Sequence, residues 1–161
     1  MKKYLLLFLL AGVLGLSSCI KDPVDPYKQA EEQLAKDEVI IKKFIADNNI
    51  PALRDASGVY YQIIEPGSGS VNYTANTKIT VQYKGKLLNG TVFDFSKDNQ
   101  PFVFNLGDRI INGWKIGVPL IQKGGKIRLI IPSGYAYGSQ APGSIPGNSI
   151  LDFDIEIVDI Q

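Results

Sequence analysis

Cys19 is the only thiol in this 161-residue chain, and the chain has no histidine. A histidine-dependent triad, a Cys–His dyad and a His-rich zinc site all need residues that are absent. No disulfide can close within the chain. Function must be carried by aromatic rings, carboxylates, hydroxyls, amines or backbone groups, and no metal or cofactor is expected. The formal charge is +1, and no basic patch interleaved with aromatics offers a surface to nucleic acid. With 45% apolar and 20% charged residues, the composition is that of one globular domain with appendages.

The placement of the single thiol is informative. Lys2 and Lys3 precede an apolar run from Tyr4 to Leu16, and small residues follow, which is the layout of a signal peptide. The run is short for a membrane span. Leu16-Ser17-Ser18-Cys19 resembles the bacterial lipobox, which implies cleavage just before Cys19. It also implies a diacylglycerol on the sulfur and a further acyl chain on the new amino group. Several acyl chains hold a protein at a membrane durably where one does not. Loss of Lys2 and Lys3 would take the formal charge from +1 to −1. Residues 1–18 are therefore expected to be a lipoprotein signal peptide. A thiol committed to lipid leaves none for catalysis.

Residues 19–27, with Pro23, Pro26 and three charges after Cys19, read as a lipid-anchored spacer. From 28 to 48 the pattern becomes helical, and residues 28–50 are set apart as an amphipathic helix. Leu34, Ile41, Phe44, Ile45 and Asn48 share one face with Ile40 beside it, while Glu31, Glu32, Lys36, Lys42 and Lys43 occupy the others. Asn48-Asn49 and Pro51 stop it. The apolar stripe is expected to pack on the chain's own sheet. The alternatives are a homodimer through residues 28–48 or a client-binding helix.

Alternation takes over in residues 57–161. Strands are expected at Val59 to Ile64, Thr77 to Tyr83, Phe102 to Phe104, Lys126 to Ile131 and Ile150 to Ile160, with a hairpin turning at Asn89-Gly90. The last strand places Leu151, Phe153, Ile155, Ile157 and Asp159 on one face. Only Asn112 to Leu120 suits a helix here, with Trp114, Val118 and Ile121 facing inward. The fold class is α+β, a curved antiparallel sheet of five to six strands wrapped around one short helix. Between Pro132 and Ser149 run eighteen residues with four glycines, three prolines and no periodicity. A structureless connection of that length is usually a functional loop.

Six blocks, in order, resemble the FKBP-type peptidyl-prolyl cis-trans isomerases from Gly58 to the C-terminus. They are Val81-Gln82-Tyr83-Lys84-Gly85, Val92-Phe93-Asp94, Pro101 to Gly107, Ile110-Ile111-Asn112-Gly113-Trp114, Gly134-Tyr135-Ala136-Tyr137-Gly138 and Leu151 to Ile157. The resemblance implies catalytic roles for Tyr83, Phe93, Asp94, Tyr137 and Phe153. It implies substrate binding by Phe102, Ile110, Ile111, Trp114 and Ile145, with Trp114 as the pocket floor beneath the prolyl ring. The Tyr137 hydroxyl and the Ile111 N–H would bond substrate carbonyls, and Asp94 would sit at the pocket edge bonded to Tyr83. Phe104 and Tyr135 are expected in structural roles. Ala141, Ser144 and Phe95 depart from the family pattern and alter the rim.

The resemblance further implies isomerisation of X-Pro bonds in exported proteins, at the bacterial cell envelope and on its periplasmic face or outer membrane. Partners would be proline-containing segments, the lipid membrane through acylated Cys19, and macrolide-type inhibitors. A proline-peptide-binding or chaperone module with little turnover is the alternative, and a scaffold acting through the 28–48 helix is another.

Overall fold

The computed structural model describes residues 25–161. The expected signal peptide, Cys19 and most of the spacer lie outside the described residues. The first element is helix α1 (Pro26–Asp47), which starts two residues before the expected position. Asp25 caps it, its carboxylate accepting from the Tyr27 N–H at 2.9 Å, and Pro26 occupies the first turn. Pro26 thus initiates a helix where the sequence reading placed spacer, because its fixed φ suits a first turn and its missing N–H is no loss there. Asn48 is the exposed C-cap and no part of the apolar face, its amide donating to the Phe44 carbonyl at 2.8 Å.

Seven strands form one antiparallel sheet. They are β1 (Leu53–Arg54), β2 (Tyr60–Glu65), β3 (Lys78–Leu87), β4 (Val92–Phe95), β5 (Phe102–Asn105), β6 (Lys126–Ile131) and β7 (Leu151–Ile160). The order is β1-β2-β6-β7-β3-β4, with β5 also on β3. The expected five to six strands become seven because the two-residue β1 carries no periodic signal. β3 runs on past Tyr83 because Lys84-Gly85-Lys86 keeps its ladder to β7 while breaking the apolar alternation. β5 pairs with the first half of β3 and β4 with the second, so one edge of β3 is shared by two short strands.

A bulge sets the phase of β7. Thr80 pairs with Asp159 and Val81 with Ile157, so Val158 has no partner. The extra residue turns Asp159 outward to Lys123 (2.6 Å) and returns Ile160 to the core side. The expectation that Asp159 continues the inward row is therefore corrected.

The main core lies between the sheet and helix α2 (Asn112–Gly117), which continues as a 3-10 turn at Val118–Leu120. Ile127, Leu129 and Ile131 of β6 face this core, and Ile130 between them faces a second cluster with Ile41, Ile50, Tyr60 and Ile150. Both faces of β6 are thus covered at this end, one by α2 and the other by α1. The apolar stripe of α1 is covered by the chain's own sheet, with Ile41 fully buried and Phe44 and Ile45 packed beside it. Arg128, on the α1 side, pairs bidentately with buried Asp152 (2.9 and 2.8 Å) and lies 5.9 Å from the Phe44 ring centre. Among the described residues no helix is long and apolar enough to cross a membrane.

The approach of α2 to β6 needs glycine. A Cβ on Gly113 would lie 2.4 Å from the Ile131 side chain, and one on Gly117 would lie 2.4 Å from that of Leu129. Alanine favours a helix over glycine by about 1 kcal/mol, but fully buried Leu129 has no room to yield. Gly117→Ala is therefore expected to lower stability by about 1–3 kcal/mol, read as the shift in a urea unfolding midpoint. Unchanged or raised stability would contradict this packing.

Candidate active site

Curvature of the sheet brings four aromatic rings around one indole. Trp114 is placed by α2 and is 4% exposed. Tyr83 from β3 meets it edge-on at 5.1 Å between ring centres, and Phe153 from β7 at 5.3 Å. Phe102 and Phe104 from β5 stand at 6.1 and 5.6 Å. Edge-to-face contacts of this kind set positive ring edges against negative faces and fix ring orientation. Phe104 is buried core, as expected, and stacks on Phe102.

Above the indole is a cavity of about 210 Å³ lined by Tyr83, Asp94, Phe102, Arg109, Ile110, Ile111, Trp114, Tyr137 and Phe153. Eight of the ten pocket residues expected from sequence are brought together there. Phe93 does not line the cavity. It stands behind Phe153, edge-on at 5.5 Å, in space left by Gly85, where a Cβ would lie 2.7 Å from both rings. Ile145 is half-buried against the main core and is also absent from the lining. Arg109 is the lining residue that the sequence reading missed. Its only signal was its place directly before Ile110-Ile111.

A larger, open groove of about 980 Å³ runs over the outer sheet face past Ile64, Lys84, Phe95 and Glu156. Its lining mixes opposite charges with the rings of Tyr83 and Phe95. The smaller cavity is the one that joins an apolar floor to a few directed polar groups, the usual character of a binding site.

Those polar groups are few. The Tyr83 hydroxyl donates to Asp94 Oδ2 at 2.7 Å, and Asp94 Oδ1 accepts from the Phe95 N–H at 2.9 Å. Burial raises the Tyr83 phenol above its ordinary value, and the neighbouring Asp94 carboxylate adds to the effect. Burial, then Asp94, also raises Tyr137. Both phenols therefore remain neutral donors at physiological pH. The Trp114 Nε1–H has no hydrogen-bond partner, the sole such buried side-chain atom among the described residues. No group of His, Cys, Asp and Glu among the described residues could hold a metal ion.

The domain thus sets a curved antiparallel sheet on one short helix, with a ring-walled cavity over a tryptophan. The family model for FKBP-type peptidyl-prolyl cis-trans isomerase matches residues 69–158, more than half the chain. The chain is 44% identical over 135 residues to the FKBP-type isomerase FkpA of Buchnera aphidicola subsp. Schizaphis graminum, covering 83% of this chain and 52% of that protein. The crystal structure of FkpA from Escherichia coli superposes with a TM-score of 0.70 at 36% identity, covering 84% of this chain and 62% of that one. A peptidyl-prolyl isomerase structure from Pseudomonas syringae pv. tomato gives 0.66 at 32% identity, covering 82% and 96%. This chain belongs to the FKBP-type peptidyl-prolyl cis-trans isomerase family. It spans about half the length of the curated relatives it matches.

The raised phenols have a measurable consequence. A folded value above the ordinary 10.0 means that the fold favours neutral phenol. That stability is complete below pH 10 and is lost as pH rises through the folded values, which for half-buried Tyr73 is about 12. Ultraviolet titration of the native chain should show phenolates forming later than in the urea-unfolded chain, and Tyr83→Phe should remove one late titration. Coincident native and unfolded curves would contradict the burial of these hydroxyls.

Proposed function

We propose that this chain is an active peptidyl-prolyl isomerase that lowers the barrier to X-Pro rotation in exported proteins by favouring the twisted amide in the Trp114 cavity. The observation that carries the proposal is the enclosure of one buried indole by three cavity-lining rings, with a hydroxyl–carboxylate pair at the edge.

The barrier is amide resonance, about 18–20 kcal/mol, so uncatalysed crossing takes tens to hundreds of seconds. Resonance is strongest in the planar, charge-separated amide, which water stabilises. A dry cleft removes that solvation, and the twisted amide, being less polar, loses less on entry. Every roughly 1.4 kcal/mol of preference for the twisted state multiplies the rate tenfold. No proton transfer or covalent intermediate is required, which suits a chain without histidine.

The prolyl ring would rest on Trp114 between Phe102 and Phe153, with Ile110 closing one side. The Tyr137 hydroxyl and the Ile111 N–H would hold the flanking carbonyls. The Tyr83–Asp94 pair would sit where the twisting carbonyl turns, with Phe93 supporting Phe153 from behind and Ile145 steadying the loop. Macrolide-type inhibitors would compete for the same cavity.

A protease-coupled proline-peptide assay tests this reading. Tyr137→Phe is expected to reduce kcat/KM by about two- to tenfold, the worth of one neutral hydrogen bond, and Phe102→Ala by a similar or larger factor. No rate above background would sink the isomerase. Peptide affinity measured by calorimetry without turnover would instead mark a proline-peptide-binding module.

We further assign residues 57–161 to the isomerase domain and residues 1–18 to a lipoprotein signal peptide, with Cys19 acylated and the chain held at the cell envelope, on its periplasmic face or at the outer membrane. The support is the position of the sole cysteine after Leu16-Ser17-Ser18. Pairing of two copies through residues 28–48 is not required, since the helix stripe is covered by the chain's own sheet. Cys19→Ser should move the chain from the membrane fraction to the soluble one, and an unchanged distribution would remove the anchor.

A further inference from the structure

We propose that Asp37, on the inner face of α1, is a positioning residue for Tyr137, so that the helix ahead of the isomerase domain sets the geometry of the substrate-binding loop. The proposal rests on the reading of Tyr137 as a substrate-contacting hydroxyl.

Asp37 is wholly buried, an unusual place for a carboxylate in the middle of a helix. A buried charge persists only where donors satisfy it, and three converge here. Asp37 Oδ2 accepts from the Ser133 N–H at 2.7 Å and from the Ser133 hydroxyl at 2.6 Å, across 96 positions of sequence. Gln33, one turn earlier on α1, donates to Oδ1 at 2.7 Å.

Ser133 is equally buried and opens a 3-10 turn, Ser133–Tyr135, at the start of the long loop. Its carbonyl accepts two N–H groups, from Ala136 at 3.0 Å and from Gly138 at 2.8 Å. Those residues bracket Tyr137. The Gly138 carbonyl in turn accepts the Asn148 N–H at 2.7 Å and closes the loop. One serine is thus gripped on its donor side by Asp37 and grips both neighbours of the cavity tyrosine on its acceptor side.

The contact is more than a stability device by position. Packing of α1 on the sheet is supplied by Ile41, Phe44, Ile45 and Tyr60. A carboxylate added to that apolar interface contributes direction, holding the Ser133 peptide in one orientation. Loss of Asp37 would leave the Ser133 N–H buried without its partner and free the turn to rotate, moving the Tyr137 hydroxyl relative to Trp114. The helix is thereby coupled to the cavity without touching substrate.

The test uses the full chain with Asp37→Ala, Asp37→Asn and, as a packing control, Ile41→Ala. Asp37→Ala should raise KM for a proline tetrapeptide on the order of tenfold with kcat little changed, and should speed amide exchange at Ala136 and Gly138. In a Tyr137→Phe background the same substitution should have almost no further effect on KM. Asp37→Asn, which keeps one oxygen for Ser133, should recover most of the affinity, and Asp37→Leu, which fills the site without an acceptor, replaces the alanine variant if that one does not fold. Ile41→Ala should lower stability while leaving KM and those two amides unchanged. Unaltered KM and exchange in both Asp37 variants, or an equal rise in KM from Ile41→Ala, would overturn the proposal. If the wild-type chain shows no turnover, the isomerase reading fails by itself, and exchange at Ala136 and Gly138 still decides whether Asp37 holds the loop.

Discussion

The indole of Trp114 belongs to two structures at once, and that double membership constrains the rest of the domain. It is a core side chain packed between a short helix and a curved sheet, and it is also the floor of the cavity. To serve as both, it must be surrounded on its flanks and left open above. Rings from β3, β5 and β7 supply the flanks. The sheet must curve for rings on β5, β3 and β7, which pair side by side, to converge on one indole, and α2 must lie close enough to carry it. The close approach falls to Gly113 and Gly117, and the change of strand twist to the bulge at Val158. The buried Nε1–H has no protein partner in this position.

The opposite face of the sheet solves a different problem. β6 is apolar on both faces at the end where α1 crosses it, and Arg128 and Asp152 lie there under partial cover. Buried ion pairs gain little net stability, because desolvation offsets much of their attraction. Their directional, bidentate bonding nonetheless fixes how β6 and β7 sit beneath the helix. Asp37 extends the same logic from sheet to loop. The α1 side of the molecule thus uses buried charged groups to specify geometry, whereas the α2 side relies mainly on the packing of apolar side chains.

These two sides were unequally legible in the sequence. The strands rich in β-branched and aromatic residues, β2, β6 and β7, were readable to within a residue or two, and Trp114, Val118 and Ile121 were recognisable as one inward face. β1 was invisible because two residues have no period. Asp159 was misplaced because a bulge reverses phase without any mark in residue type. Asp37 was hidden for a related reason. A carboxylate on a helix reads as solvent-facing, and only Ser133, far along the chain, gives it a partner. The cavity set emerged from family motifs more than from pattern, since an aromatic on a strand looks the same whether it lines a cavity or fills a core. Phe93 and Ile145 show the limit of that transfer, because Phe93 stands behind Phe153 and Ile145 packs against the main core, neither of them in the lining. Arg109 shows the converse, a lining residue outside the expected set.

Rotation of an amide, the reaction proposed for this chain, makes and breaks no bond, so the absence of histidine costs it nothing and geometry is its lever. Differential binding of a twisted amide depends on small displacements of groups that do not react. In a triad enzyme, a loop displaced slightly still has a base and a nucleophile to work with. In the proposed reaction, the placement of a few hydroxyls and rings over an indole would be the whole apparatus. Residues that only hold other residues then matter in proportion, and a buried carboxylate on a preceding helix can bear on substrate binding through the loop it holds. This gives a physical reason for α1 to pack on the domain through a polar contact as well as an apolar one. The apolar stripe secures the helix, and the carboxylate uses that fixed helix as a reference for the loop.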